Sequence, residues 1–356
     1  MRTHTKLFIP GPVEVSEKTF AAFTTPMIGH RGKDFAALYA EIQPKLQQLL
    51  FTKNPVYLST SSAWGVMEAS VRNLVNKSVL NCCCGAFSDK WYDVSLACGK
   101  AADKIQVEWG QPILPGQIDD KLKTGQYDAL TLIHNETSTG VMNPLSEIAE
   151  VMRKYPDVMF IVDSVSSMSG VKIETDKLGI DVLLAGTQKC FALPPGFAVF
   201  AVSARAIKRA ATVPGRGYYF DFIEFQKNHE KNNTPSTPSV AHIYALRSKL
   251  EDIFAEGLEA RFARHQKMAE MVRGWAKRNG FELFPEAGYE SVTLTCVRNT
   301  RQIDVPKLNA TLKERYGCII DGGYGKIKGT TFRIAHMGDE TTETIAQLLG
   351  WLDDCL

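Results

Sequence analysis

Residues 159–195 read MFIVDSVSSMSGVKIETDKLGIDVLLAGTQKCFALPP, and this stretch decides the fold. It holds two short apolar runs. Met159 to Val162 ends on Asp163, and Val182 to Ala185 leads through Gly186, Thr187 and Gln188 to Lys189. Both runs are too short for helices and rich in Val, Ile and Leu, so they read as strands buried on both faces. Each delivers one charged residue at its carboxyl end, where open α/β sheets bind ligands. An aspartate and a lysine so placed also suit a simple salt bridge at a sheet edge. Their surroundings decide between the two.

On either side the pattern repeats. Short apolar runs at 56–59, 79–83, 104–107, 129–133 and 198–202 alternate with helical patterns at 66–75, 89–98, 119–124, 145–154 and 204–211. This predicts a mostly parallel sheet with helices on both faces. Polar candidates collect just past the strands. After 56–59 comes Thr60-Ser61-Ser62-Ala63-Trp64-Gly65, a hydroxyl-rich turn opening a helix. Backbone N–H groups at Ser62, Ala63 and Trp64 suit a phosphate, with a plain helix cap as the bland alternative. Phe87 follows the run at 79–83, placed either in the core or stacked on a flat ring. The run at 129–133 ends in HNETSTG, which contains Thr137.

Before the alternation, residues 1–16 read as an arm. Its Pro10-Gly11-Pro12 is either a turn or a place where backbone approaches a ligand closely. His30 and Arg31 precede a helix over 34–50 with apolar residues at Phe35, Leu38, Ile42, Leu46 and Leu49. They are balanced between an anion site and solvated loop charge. After the alternation, 215–233 is a loop with room for a short helix. Long helices start near Val240 and span 257–279. An α+β unit closes the chain, with strands at 292–296, 318–321 and 331–335 and helices at 305–316 and 341–355. The expected division is an arm at 1–16, a large domain at 17–250 and a small one at 251–356. Arg333 sits within the apolar strand Phe332-Arg333-Ile334-Ala335. It either faces water from an edge or grips a carboxylate with two parallel hydrogen bonds.

The length of 356 residues suits about two domains. With 44% hydrophobic and 22% charged residues, the chain has the composition of a soluble globular protein. A net charge of +2 and the lack of a basic run give no sign of nucleic-acid binding. No apolar stretch nears the roughly 20 residues of a membrane span, and MRTHTKLFIPGP lacks a signal peptide's apolar core. The eight cysteines, three of them consecutive at Cys82-Cys83-Cys84, form no metal-ligand set. They read as reduced thiols in a cytoplasmic protein.

A lysine and an aspartate at neighbouring strand ends, with phosphate-binding amides nearby, are what pyridoxal 5′-phosphate requires. The lysine amine forms a Schiff base with its aldehyde, and the aspartate keeps the ring nitrogen protonated. Taken together, HNETSTG (134–140), VDSVSS (162–167), AGTQK (185–189), TPSTPSVAHIYALR (234–247) and FRIAHMG (332–338) resemble the class V, alanine–glyoxylate type aminotransferases. These belong to the fold-type I pyridoxal-phosphate enzymes, and the resemblance covers essentially the whole chain. It implies a large α/β domain with a mostly parallel seven-stranded sheet and a smaller α+β C-terminal domain. It implies that Lys189 carries the cofactor, with Asp163 at the ring nitrogen, Val165 on one ring face and Phe87 on the other. Ser62, Ala63, Trp64 and Gln188 would hold the phosphate, Thr137 the ring hydroxyl and Arg333 the substrate carboxylate. Thr237 would reach the phosphate from the second subunit of a homodimer. Relatives often show Ser-Gly-His where this chain has Ser62-Ala63-Trp64, which changes the rim of the pocket.

The implied activity is a ping-pong transfer of an amino group from alanine or serine to a 2-oxo acid such as glyoxylate or pyruvate. Two other activities compete on the same scaffold. His30-Arg31-Gly32-Lys33 also resembles the segment with which phosphoserine aminotransferases meet the substrate phosphate. Cysteine desulfurases need a mobile, acidic cysteine, whereas Cys318 lies in the apolar run GCIID. A non-catalytic binding protein is a third possibility, and the retained Lys189 argues against it.

Overall fold

The computed structural model describes residues 4–356. The first three residues of the expected arm lie outside them. Strands β1–β5 span Lys6–Phe8, Val56–Ser59, Val79–Cys83, Ala102–Gln106 and Ala129–Ile133. Strands β6–β10 span Asn135–Glu136, Val141–Met142, Met159–Asp163, Val182–Gly186 and Ala198–Val202. Strands β11–β14 span Glu282–Leu283, Leu294–Arg298, Cys318–Ile320 and Thr331–Ala335.

Seven strands form the central sheet in the order β2-β10-β9-β8-β5-β3-β4. Only β10 runs against its neighbours. The others are parallel, as the strand–helix alternation predicts. Successive residues of a strand point to opposite faces, and here both faces are covered. In β8, Phe160 and Val162 enter one core while Met159 and Ile161 enter the other. In β9, Leu183 and Ala185 face the first core, Val182 and Leu184 the second. Edge strand β4 is largely exposed and carries Asp103 and Lys104, charges that discourage pairing with another sheet edge.

Helices α1 and α2 span Glu17–Phe23 and Lys33–Leu49, and α3 and α4 span Ala63–Leu74 and Ala86–Ala97. Helices α5 to α8 span Pro115–Leu122, Leu145–Met152, Ala204–Ala210 and Phe222–His229. Helices α9 to α12 span Val240–Glu256, Leu258–Arg278, Val305–Tyr316 and Thr342–Asp353. One sheet face is packed by α2, α5, α6 and α9, the other by α3, α4, α7 and α8. Among these residues no helix is long and apolar enough to cross a membrane.

Two helices begin three residues earlier than the apolar periodicity predicts, and both shifts matter for the site. Ala63 opens α3 with Ser62 at its cap, and Ala86 opens α4, so Phe87 lies in a first helical turn. Buried Glu136 explains the second shift. Its carboxylate accepts from the Ser88 amide at 2.9 Å and the Phe87 amide at 3.4 Å, supplying acceptors that a helix start lacks. The strand expected at 292–296 starts instead at Leu294, because Ser291 and Thr293 turn inward as buried hydrogen-bonding groups.

A third core gathers α10, α11, α12 and strands β12 to β14. Phe8 joins it from the far end of the chain. Strand β1 pairs in parallel with β13, Lys6 opposite Cys318 and Phe8 opposite Ile320. The arm is thus tied down by a three-residue strand, too short to show a periodicity. Phe8 is almost wholly buried, so Phe8→Ala removes a ring that the surrounding core cannot close over. The expected loss is about 3–5 kcal/mol of stability, read from the urea midpoint at unchanged slope.

Candidate active site

Asp163 ends β8, and Lys189 lies three residues beyond β9, in a turn against the same edge of the sheet. Together with Ser62, Ala63, Trp64 and Phe87, and with Thr137, Val165, Gln188 and Arg333, they line one cavity of about 350 Å³. Pro10, Gly11 and Pro12 form part of its wall. Gly11 has φ +101°, and a Cβ there would lie 3.1 Å from Lys189 Cγ, so backbone alone fits against the lysine stem.

Lys189 is only 7% exposed. Its Nζ donates to Thr137 Oγ1 at 2.5 Å and to Ser166 Oγ at 2.8 Å, and lies 5.4 Å from the centre of the Phe87 ring. Burial pushes the Lys189 ammonium below the ordinary lysine range, partly opposed by Asp163 and reinforced by Arg333. Burial likewise raises the Asp163 carboxyl, against the Val165 amide that donates to it at 2.6 Å and the charge of Lys189. The site therefore holds an amine and an acid both drawn toward neutral pH, as proton-transfer chemistry requires.

At the opposite wall, the Ala63 and Trp64 amides in the first turn of α3 have no acceptor among the described residues, and Ser62 makes no side-chain cap bond. Uncapped amides of this kind suit a bound group rich in oxygen. The buried Oε1 of Gln188, an acceptor, has no hydrogen-bond partner among the described residues. Arg333 settles between its two alternatives by pointing inward. It is 4% exposed, Nε donates to Asp321 Oδ1 at 2.8 Å, and Nη1 donates to the Thr137 carbonyl at 2.8 Å.

His30, Arg31 and Thr237 do not line this cavity. Arg31 and Thr237 are exposed, and His30 Nε2 lies 3.5 Å from Thr237 Oγ1. Sequence patterns also missed residues that belong to the cavity or its floor. Asp321 and Tyr324 line it from the glycine-rich loop DGGYG (321–325), and Tyr324 stacks on Phe87 at 5.1 Å and 22°. Ser166 joins Lys189 to Thr137, whose hydroxyl lies 2.5 Å away. Its carbonyl accepts from Asn135 at 3.1 Å and from Thr293 at 2.6 Å. Only the clustering of hydroxyls in VDSVSS hinted at Ser166, and loop 321–325 carries no periodicity.

The chain belongs to the class-V aminotransferase family, whose model matches residues 18–328. It is 30% identical to an L-aspartate–glyoxylate aminotransferase of Paracoccus denitrificans, covering 96% of this chain and 88% of that protein. It is 29% identical to a serine–glyoxylate aminotransferase of Methylorubrum extorquens, over 94% of this chain and 86% of the relative. A crystal structure of alanine–glyoxylate aminotransferase from Nostoc sp. superposes with a TM-score of 0.94 at 28% identity, covering 100% of this chain and 96% of that one. The fold is that of these transaminases, and the protein is an aminotransferase.

Three histidines, His134, His265 and His336, are buried. Burial pushes His134 down to about 4, His336 to about 3, and His265 well below its ordinary value. The folded chain thus refuses protons that the unfolded chain accepts near pH 6.5. Their stabilisation is complete above about pH 6.5 and is lost as pH falls toward 4 and then 3, by up to about 1.4 kcal/mol per pH unit for each histidine. Urea midpoints measured from pH 7.5 to 5 should fall. His134→Gln, which keeps a partner for Ser167, should flatten that slope by one proton's worth; an unaltered slope would remove His134 from this account.

Proposed function

We propose that this chain is a pyridoxal 5′-phosphate-dependent aminotransferase moving an amino group from a small amino acid, alanine or serine, to a 2-oxo acid such as glyoxylate or pyruvate. The observation that carries the proposal is the convergence of Lys189, Asp163 and Arg333 on one cavity. The residues present fit the cofactor. The uncapped start of α3 suits a phosphate, and Gln188 lines the same cavity. Asp163 suits the ring nitrogen, Val165 and Phe87 the two ring faces, and Thr137 the ring hydroxyl. When bound, the cofactor supplies an electron sink that stabilises negative charge at the substrate α-carbon.

The protein's own groups supply the rest. Arg333 binds the substrate carboxylate and so orients the α-carbon. Lys189, already lowered toward neutrality, takes the α-proton and returns it elsewhere as general base and acid. Ser166 and Thr137 hold its amine in place between these steps. Donor and acceptor use the cavity in turn, which gives ping-pong kinetics.

The competing activities lack support at this site. Phosphoserine needs a further cation; among the described residues of one chain only Lys189 and Arg333 line the cavity as lysine or arginine, so that cation would have to come from the partner subunit. A desulfurase needs an acidic thiol, whereas burial pushes Cys318 up to about 11. We further propose a cytoplasmic homodimer, in keeping with eight unpaired cysteines and with the distance of Thr237 from its own chain's cavity. We also propose an arm at 1–16, a large domain at 17–250 and a small one at 251–356; the first two cores lie mainly in the large domain and the third in the small one, with Ile253 of α9 still in the first core and Phe8 of the arm in the third.

Purified protein loaded with pyridoxal phosphate should be yellow. Lys189→Ala should abolish the lysine-linked visible band and lower transamination at least about a thousandfold. Normal turnover by this variant would refute the assignment. Arg333→Ala should raise KM for every amino donor by roughly 10²-fold or more, as expected when a charge-assisted carboxylate contact is lost. An unchanged KM would take Arg333 out of the carboxylate role.

A further inference from the structure

Arg333 does not meet the cavity as a free cation. Its Nε is occupied by Asp321 and its Nη1 by the Thr137 carbonyl, while Nη2 has no protein hydrogen-bond partner among the described residues. The Asp321 carboxylate is held there by the backbone as well as by charge. The Arg333 amide donates to the Asp321 carbonyl at 2.8 Å, and the Asp321 amide to the Arg333 carbonyl at 3.0 Å. The Gly323 amide donates to Asp321 Oδ1 at 2.8 Å. The Asp321 side chain keeps 24% of its surface accessible and lines the same cavity. Tyr324, from the same loop, lies with its ring centre 5.4 Å from the Arg333 guanidinium carbon and stacks on Phe87.

This arrangement has a consequence for a substrate. One α-carboxylate can be received at the outer end of the guanidinium, through Nη2. A second carboxylate on the side chain must find another cation. Within one chain, the only other lysine or arginine lining the cavity among the described residues is Lys189, whose amine is needed at the α-carbon. The side of Arg333 is closed by an anion. A dicarboxylic donor therefore brings its second charge close to the like charge of Asp321. Rejection by a like charge is an efficient form of discrimination.

We infer that Asp321 is a specificity-determining residue: paired to Arg333, it restricts the amino donor to amino acids with a single carboxylate and an uncharged side chain. The inference rests on Arg333 as the carboxylate clamp, as proposed above. It separates this chain from the relative named for aspartate and sets it beside those named for serine and alanine.

The test compares the holoenzyme with Asp321→Asn, in which the amide oxygen still accepts from Arg333 Nε and the Gly323 amide, so the loop keeps its bonds. With glyoxylate as acceptor, kcat/KM is measured for alanine, serine, aspartate and glutamate. The wild type should favour alanine or serine over aspartate by at least about tenfold. Asp321→Asn should lower KM for aspartate by about tenfold more than KM for alanine, narrowing the preference. Calorimetric Kd values for propionate and succinate, which carry no amino group to react, should show the same narrowing without catalysis. A wild type that prefers aspartate, or a variant whose ratios of KM and Kd are unmoved, overturns the inference and leaves the aminotransferase assignment intact. Activity with no amino donor would instead overturn the assignment, and the inference would fall with it.

Discussion

A sheet packed on both faces leaves its polar side chains one outlet, the ends of the strands. Every residue of β2, β5, β8, β9 and β10 is buried, so none of their side chains can carry chemistry from a face. The two acts that the site needs, proton transfer at a carbon and grip on a carboxylate, are delegated to groups at these ends and to one strand brought in from the C-terminal part. Asp163 and Lys189 thereby inherit rigid backbones on one side and a low-dielectric cavity on the other. That combination draws both groups toward neutrality, burial being the largest cause of each shift.

The lysine is braced from below by a polar floor that spans both parts of the molecule. Ser166 touches Lys189 with its hydroxyl and accepts through its carbonyl from Asn135 and from Thr293. Asn135 also donates to the Thr293 hydroxyl at 2.8 Å. A buried network of this kind is favourable only when its members are satisfied, and one oxygen of Asn135 is not. The C-terminal part thus contributes more than Arg333. It also holds the floor on which the amine rests.

Most of the sheet was legible in the sequence because its strands are continuous apolar runs bounded by turns. Val182–Gly186 and Ala129–Ile133 are examples whose limits follow almost directly. The motifs past them located most of the cavity for the same reason, since they sit at fixed distances from those runs. What periodicity could not show was anything decided by a distant partner. The early start of α4 depends on Glu136, some 50 residues away. Strand β1 depends on β13, and the inward turn of Arg333 on Asp321 and the Thr137 carbonyl. Asp321 and Tyr324 stand in a run of glycines, where side-chain spacing carries no signal. Within one chain none of His30, Arg31 and Thr237 lines the cavity, and His30 approaches Thr237 instead.

The pairing of β1 with β13 also imposes an order on the birth of the molecule. Lys6 leaves the ribosome more than 300 residues before its partner Cys318 is made. At roughly 5–20 residues per second, the arm waits about 15–60 s for a strand to join. The segment Pro10-Gly11-Pro12, which follows β1 directly, is part of the cavity wall. Until β13 is made, the central sheet can assemble around Lys189, but the pocket stays open on that side. The nascent chain is until then a scaffold without a finished site, which is completed when β1 meets β13.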